Sequence, residues 1–424
     1  MKINNIIYFL SALALFSCEP EMDSFKPSAG NADFSKMVAV GNSLTAGFAD
    51  GELYRAAQLN SFPKIVAQQM QHVGGGGFNQ PLMKNDSGFG SRLVLGMVDG
   101  SLAPVPFGDD DINENFEHIY DEQGPFHNFG VPGAKADHII AEGYGVLNPY
   151  FGRFAENIFK SSVLGDAMAL DPTFFLLWIG NYDVLSFAAS GGEGETITNF
   201  EYYSAIMSKI IDQLTSNNAK GAIANIPDVT VAPFFNTIPS NGLFLSALQA
   251  AVLNAAYADL PHIEFHEGEN GFVVIDLEAA GHIRQLKESE LLLLTTPQDS
   301  LVDAGWGSQK PIPPEYYLSE DQIDEIKSSI TQYNNFIEIL AGENNLAYVD
   351  INSILKEAVT GIWFDGVNFS TRFVYGGVFS LDGIHLSARG NAIVANTFID
   401  AINNKYGSSI PKVSVTEYPG IIFP

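Results

Sequence analysis

The chain has 424 residues, of which 46% are hydrophobic, so it can bury the core of one large domain or of two ordinary ones. Its 21 lysines and arginines are outnumbered by 49 aspartates and glutamates, and the net charge is −28. A surface of that sign repels phosphate backbones and argues against a nucleic-acid partner, but it says nothing about the fold.

Residues 1–17 have the pattern of an export signal, with Lys2 at the start and an apolar run over residues 6–16 that is too short to span a bilayer. The run leads to Cys18, the only cysteine of the chain, in a sequence that resembles the lipobox of bacterial lipoproteins. The resemblance implies a lipid-modified Cys18, an acidic tether over residues 18–33, and export to the periplasmic or cell-surface face of the outer membrane. An ordinary signal peptide with a chance cysteine is the alternative.

Strand and helix patterns alternate over residues 34–424. Runs that are apolar on both faces predict buried strands of a mainly parallel sheet, at residues 34–40, 173–179, 222–226 and 346–351. Apolar side chains at helical spacing predict helices over residues 61–70, 319–340 (with a capping box) and 394–407. The alternation predicts an α/β fold with helices on both faces of the sheet.

The middle of the chain is less regular. Residues 74–120 are rich in glycine and proline and contain no recognisable element, and residues 232–314 form a variable insertion without a motif. Residues 243–260 are nearly all apolar and predict a buried helix; a lid or wall of an acyl-binding groove is the alternative.

Four short blocks, in chain order, carry residues suited to nucleophilic catalysis: residues 41–45, 128–133, 179–183 and 382–385. Ser43 is the candidate nucleophile and His385 its base, because only this histidine has an aspartate, Asp382, three residues earlier in a glycine-containing turn. The N–H groups of Gly133 and Ser43 and the side-chain amide of Asn181 are candidate donors to an oxyanion.

Each block also has a purely structural interpretation. Ser43 fits a helix N-cap, Gly133 and the turn at Asp382 fit ordinary turns, and Asn181 fits a loop residue that satisfies backbone groups. Thr45 occupies the position where a G-x-S-x-G nucleophile elbow has its second glycine, which argues against an α/β-hydrolase. The catalytic interpretation therefore depends on all four blocks occurring together and in order.

In combination, the blocks resemble those of the SGNH, or GDSL-type, serine hydrolases, a family of esterases and lipases. The resemblance implies a flavodoxin-like three-layer α/β/α sandwich with about five mainly parallel strands. It also implies Ser43, Asp382 and His385 as a triad, Ser43, Gly133 and Asn181 as an oxyanion hole, and ester hydrolysis through an acyl-enzyme. This mechanism requires no cofactor and no metal.

The chain departs from the family pattern at two positions. Asn42 replaces the usual aspartate before the serine, and Tyr182 is inserted between Asn181 and Asp183. The insertion is expected to displace Asp183 and to leave Asn181 in place. These departures also leave room for a function of another class, a non-catalytic binding lipoprotein on the same fold.

Metal sites are weakly indicated. His262 and His266 have the spacing of zinc ligands on a helix, but the residues between them favour a strand, on which this spacing does not pair them. Asp109 and Asp111 begin like a calcium loop, but Glu114 stands where an EF-hand requires glycine.

Aromatic composition bears on the substrate. The chain has 31 phenylalanines and 3 tryptophans, and phenylalanine suits acyl chains whereas tryptophan more often stacks on sugars. This favours lipid-like or simple esters over the first alternative, a carbohydrate O-acetyl esterase.

Overall fold

The computed structural model describes residues 27–98, 100–108 and 113–424. The predicted signal peptide, Cys18, the first part of the acidic tether, and Asp109 and Asp111 of the calcium-loop pattern lie outside the described residues. In the part of the chain that is described, no helix is both long enough and apolar enough to cross a membrane.

The described strands, in chain order, are β1 Met37–Gly41, β2 Leu93–Val98, β3 Ser101–Pro106, β4 Asn128–Gly130, β5 Phe174–Trp178, β6 Lys220–Ala224, β7 Leu243–Leu245, β8 Gly268–Asn270, β9 Val273–Ile275, β10 Ile283–Gln285, β11 Leu291–Leu292, β12 Tyr317–Leu318, β13 Ala347–Val349, β14 Ile362–Phe364 and β15 Val367–Phe369.

The described α-helices are α1 Ser43–Ala46, α2 Arg55–Leu59, α3 Phe62–Met70, α4 Tyr120–Gln123, α5 Tyr144–Leu147, α6 Pro149–Gly152, α7 Val163–Met168, α8 Asn181–Ala189, α9 Phe200–Thr215, α10 Pro233–Asn236, α11 Ala247–Ala256, α12 Gln298–Val302, α13 Glu320–Glu343, α14 Ile351–Thr360 and α15 Ala388–Tyr406.

The centre of the molecule is a parallel sheet in which the strands lie in the order β4, β1, β5, β6, β13. Counted by their succession along the chain, this order is 2-1-3-4-5, the flavodoxin-like arrangement. Strands β1 and β5 are buried along their whole length, because neither face of a covered parallel sheet meets water. The predicted α/β fold is therefore confirmed.

Helices cover both faces of the sheet. Helices α3 and α15 pack together on one face, and α7, α9 and α13 pack on the other. Helix α13 begins at Ser319, whose capping box with Gln322 forms as predicted, and its stripe from Ile323 to Leu340 is buried. Helix α15 ends at Gly407, which adopts the left-handed conformation that glycine permits at a helix end.

Two predictions for the middle of the chain were wrong. Residues 74–120 contain the antiparallel hairpin of β2 and β3, for which no strand was predicted. Residues 243–260 are not one buried helix but β7 followed by α11, in which Leu248 is 75% and Val252 60% exposed. Helix α11 buries only Ala250 and Leu253, so its apolar composition did not indicate how much of its surface packs.

Candidate active site

Three of the four blocks lie at the carboxyl ends of adjacent strands. Strand β1 ends at Gly41, which is in register with the last residues of both β4 and β5. The strand order reverses at β1, and open α/β sheets bind ligands in the crevice at such a reversal. Ser43, Gly133 and Asn181 follow these three strand ends by two or three residues, so the fold brings them to one edge of the sheet.

Ser43 is the first residue of the short helix α1, directly after β1. The side chain of Asn42 caps this helix by accepting a hydrogen bond from the Leu44 N–H at 3.1 Å. Asparagine and aspartate cap equally well, so the departure at Asn42 preserves the local structure. Gly130 allows α1 to approach β4, because a Cβ at this glycine would lie 2.1 Å from the Ala46 nitrogen.

The structure brings together the serine, histidine and aspartate of the first and last blocks. His385 Nε2 lies 2.9 Å from Ser43 Oγ, and His385 Nδ1 lies 2.9 Å from Asp382 Oδ2. In a neutral imidazole the Nδ1 proton is donated to the carboxylate, which leaves Nε2 free to accept the proton of the serine hydroxyl. The ring of Phe48 packs on that of His385, with 4.5 Å between their centroids.

Asp382 is held by hydrogen bonds on both carboxylate oxygens. Oδ1 accepts from the backbone N–H groups of Ile384 and His385 at 2.9 and 2.8 Å, and Oδ2 accepts from that of Gly51 at 2.8 Å. Burial acts to raise the pKa of Asp382, but the charge of His385 and these hydrogen bonds outweigh it and hold the pKa well below the usual range. These interactions therefore favour the ionised carboxylate of Asp382.

Asn181 presents a buried amide without a partner. It follows Gly180, whose φ of 107° turns the chain from β5 into α8. Its side chain is 3% exposed, and neither its nitrogen nor its oxygen makes a hydrogen bond in the described structure. An unpaired buried amide costs about 1–3 kcal/mol, so such a group calls for an explanation such as a bound ligand or transition state.

Gly133 lies in the loop after β4 with φ of 75°, a conformation that favours glycine. A Cβ built at this position would meet no atom within 4 Å, so the side of the backbone from which a side chain would project is open. That its N–H donates to a substrate oxygen stays a prediction.

Asp183 connects the second and third blocks. Its Oδ2 accepts a hydrogen bond from the Ala136 N–H at 2.9 Å, which ties α8 to the loop that carries Gly133. Burial raises the pKa of Asp183 to about 6, against the lowering effect of the bond from Ala136. The inserted Tyr182 is thus accommodated within α8, with Asn181 as the first residue of the helix.

A mainly apolar cavity lies beside Ser43 and His385. Its walls come from α8, from residues 227–232 after β6, from Leu355 of α14, and from the chain around Ile384. Trp178 lines it with its ring fixed by a hydrogen bond from Nε1 to the Asn225 carbonyl oxygen at 3.0 Å. Residues 227–232 and Leu355 were not predicted to line a site, because apolar wall residues have the same sequence pattern as core residues.

The weaker candidate sites do not join this centre. His262 Nε2 lies 2.9 Å from the Ile283 carbonyl oxygen. Among the described residues, no three potential ligands cluster in a way that could hold a metal ion. Residues 243–260 do not line the cavity beside Ser43, so the alternative interpretation of that segment as a wall of this groove is not supported either.

Comparisons with known proteins identify the family of the chain. Residues 37–398 match the model of the GDSL-like lipase/acylhydrolase family. A search of curated protein sequences found no match.

Solved structures with a distant similarity to this chain include Axe2, an acetylxylan esterase from Geobacillus stearothermophilus. The two are 12% identical with a TM-score of 0.39, and the match covers 88% of this chain and 96% of that chain. Such structures also include a protein described as a GDSL-like lipase from Parabacteroides merdae, at 12% identity and a TM-score of 0.36, covering 89% and 99%. Because the family model spans most of the sequence, this chain belongs to the GDSL-like lipase/acylhydrolase family and is an ester hydrolase.

Proposed function

We propose that the protein is a serine esterase that cleaves carboxylic esters through an acyl-enzyme, with Ser43 as nucleophile and His385 as general base. The observation that carries this proposal is the chain of two 2.9 Å contacts from Asp382 through His385 to Ser43, beside the unpartnered amide of Asn181. A base within hydrogen-bond reach of a hydroxyl is what serine nucleophiles require.

In the first step, His385 Nε2 accepts the hydroxyl proton while Ser43 Oγ bonds to the carbonyl carbon of the ester. The carbonyl oxygen becomes negative and is stabilised by the N–H groups of Ser43 and Gly133 and by Asn181 Nδ2, each of which contributes about 3 kcal/mol. Asp382 stabilises the imidazolium that forms.

In the second step, the imidazolium of His385 donates its proton to the oxygen of the leaving alcohol as the carbon–oxygen bond breaks. The acyl group then remains on Ser43. A water molecule repeats the sequence with His385 as its base, and the carboxylic acid is released as the acyl–Ser43 bond breaks.

We propose lipid-like or simple esters as substrates. The apolar cavity beside Ser43 supports this, because residues such as Leu185, Val231 and Leu355 offer carbon surface to an acyl chain and few polar partners to a sugar. The test compares kcat/KM for p-nitrophenyl acetate, p-nitrophenyl octanoate and an acetylated xylo-oligosaccharide. A clear preference for the octanoate is expected, and a preference for the saccharide would favour the carbohydrate O-acetyl esterase instead.

The catalytic role of Ser43 is tested with the Ser43→Ala variant and a fluorophosphonate probe. Labelling and ester hydrolysis are both expected to disappear. A matched control is Ser216→Ala, which removes an exposed hydroxyl whose hydrogen bond stays within its own helix end, and it is expected to behave as wild type. Undiminished hydrolysis by Ser43→Ala would contradict the proposal and favour a non-catalytic binding protein.

We also propose that the mature chain is anchored to the outer membrane through a lipid on Cys18. The support is the lipobox resemblance, together with the acidic tether that follows it. In a bacterial host, wild type is expected to incorporate labelled palmitate and to partition with membranes. Cys18→Ala is expected to do neither, and palmitate incorporation by that variant would refute the proposal.

A further inference from the structure

A two-residue turn packs against the segment that carries Asp382. Ala49 and Glu52 exchange both of their backbone hydrogen bonds, each at 3.0 Å, and the residues between them, Asp50 and Gly51, have φ of 54° and 78°. Positive φ at both central positions is the mark of a type I′ turn, for which Asp-Gly is a preferred sequence.

Three hydrogen bonds join this turn to residues 380–382, which lie some 330 positions further along the chain. The Asp50 N–H donates to Ser380 Oγ at 2.9 Å, and the Gly51 N–H donates to Asp382 Oδ2 at 2.8 Å. In the opposite direction, the Leu381 N–H donates to Asp50 Oδ1 at 2.9 Å. The bond from Gly51 reaches the same carboxylate oxygen that contacts His385.

The carboxylate of Asp50 is itself fixed. Its second oxygen accepts a hydrogen bond from the Tyr54 hydroxyl at 2.6 Å, and the guanidinium of Arg92 lies over the Tyr54 ring, 4.0 Å from its centroid. Ser380 adds a further link, because its hydroxyl donates to Asp382 Oδ1 at 3.1 Å. Both oxygens of Asp50 are therefore engaged, and the side chain has no freedom to turn away from Leu381.

We propose that Asp50 is a positioning residue of the triad, an inference that rests on the proposed serine-esterase function. Its carboxylate holds the backbone beside Asp382, and its turn presents the Gly51 N–H, so that Asp382 Oδ2 stays in contact with the His385 ring. Asp50 acts through Asp382 and touches neither the substrate nor the reacting atoms. Serine triads lose most of their rate when the imidazole is wrongly held, so a loosened Asp382 lowers kcat.

The chain contains a matched control turn. Asp365 and Gly366 have φ of 52° and 78° and connect β14 to β15, and Asp365 Oδ2 accepts the Val415 N–H at 2.7 Å. This turn has the same Asp-Gly sequence and the same kind of side-chain-to-backbone bond, but the hydrogen bonds of its aspartate go to residues 414–416.

The test measures kcat and KM for Asp50→Ala, Asp50→Asn and Asp365→Ala. Asp50→Ala is expected to lose at least 30-fold in kcat with KM changed less than threefold. Asp50→Asn is expected to recover to within about fivefold of wild type, because an amide oxygen can still accept the Leu381 N–H. Asp365→Ala is expected to remain within twofold of wild type.

Three results would overturn the proposal: a kcat for Asp50→Ala within threefold of wild type, no recovery in Asp50→Asn, or an equal loss in Asp365→Ala. If Asp50→Ala fails to fold, Tyr54→Phe replaces it, because it removes the hydroxyl that fixes the Asp50 carboxylate and leaves the bonds of Asp382 in place. It is expected to lose about tenfold in kcat, and no loss there would equally overturn the proposal.

A second measurement needs no turnover and separates this proposal from the function itself. The His385 Nδ1 proton is expected to give a downfield NMR signal in wild type and in Asp50→Asn. In Asp50→Ala this signal is expected to disappear, because the proton exchanges with water. A wild type that hydrolyses no ester would refute the proposed function, while an unchanged signal in Asp50→Ala would refute the positioning role of Asp50.

Discussion

Replacing Asn181 with alanine is expected to affect activity and stability in opposite directions. The amide is buried and makes no hydrogen bond in the described structure, so its removal breaks no hydrogen bond that stabilises the fold. If the amide is an oxyanion donor, its removal deprives the transition state of one preorganised interaction. We therefore expect kcat to fall by about 10²- to 10³-fold, or about 3 to 4 kcal/mol, with little change in KM.

The expected effect of Asn181→Ala on the free energy of unfolding combines two terms. Removing an unpaired buried amide stabilises the folded state by about 1–3 kcal/mol. The small void left by the truncated side chain costs about 1 kcal/mol. The variant should therefore be as stable as wild type or more stable by up to about 2 kcal/mol.

The assay combines ester hydrolysis with urea unfolding, and Asn396→Ala provides the control. Asn396 is also a buried asparagine, but both ends of its amide bond to the Val413 backbone at 2.9 Å. Its loss should cost about 1–3 kcal/mol of stability and leave kcat within threefold. A kcat of Asn181→Ala within fivefold of wild type would refute the role of Asn181 as an oxyanion donor. A loss of stability as large as that of Asn396→Ala would show that the Asn181 amide is not an unpaired group in the folded protein.

Three further outcomes are expected. Asp183→Asn should stabilise the protein by about 3 kcal/mol at pH 8 and should not stabilise it at pH 4. Burial raises the pKa of Asp183 from 3.8 to about 6 in the folded state, so the folded state binds the proton more tightly than the unfolded state does. Wild type therefore loses stability as the pH rises from 3.8 to about 6, and the variant does not. Equal differences in urea unfolding at the two pH values would contradict this. Asp382→Asn should lower kcat by about 10⁴-fold while KM stays within a few-fold, and a loss under tenfold would exclude Asp382 from the triad. Val231→Trp should narrow the cavity, lowering octanoate hydrolysis at least tenfold and acetate hydrolysis less than threefold; parallel losses would show that the acyl chain lies elsewhere.

Local patterns predicted the architecture where the chain is periodic. The apolar runs at β1, β5, β6 and β13 identified four strands of the sheet, and Ser319 with Gln322 identified the start of α13. Strand β4 was not predicted, because three residues are too few to show a period. The hairpin of β2 and β3 was missed for a different reason, since its glycines and prolines read as loop.

The sequence by itself named the serine, histidine and aspartate that the structure brings together, and it named Gly133 and Asn181 as candidate oxyanion donors, all within short, recognisable stretches. Only the tertiary structure decided how they are held: Asp50 and Leu381 are 331 positions apart, and nothing local to either residue indicates that they bond. The same holds for the wall formed by residues 227–232 and for the exposure of α11. Local patterns reflect backbone geometry and side-chain period, whereas supporting hydrogen bonds and cavity walls arise between segments that become neighbours only when the sheet assembles.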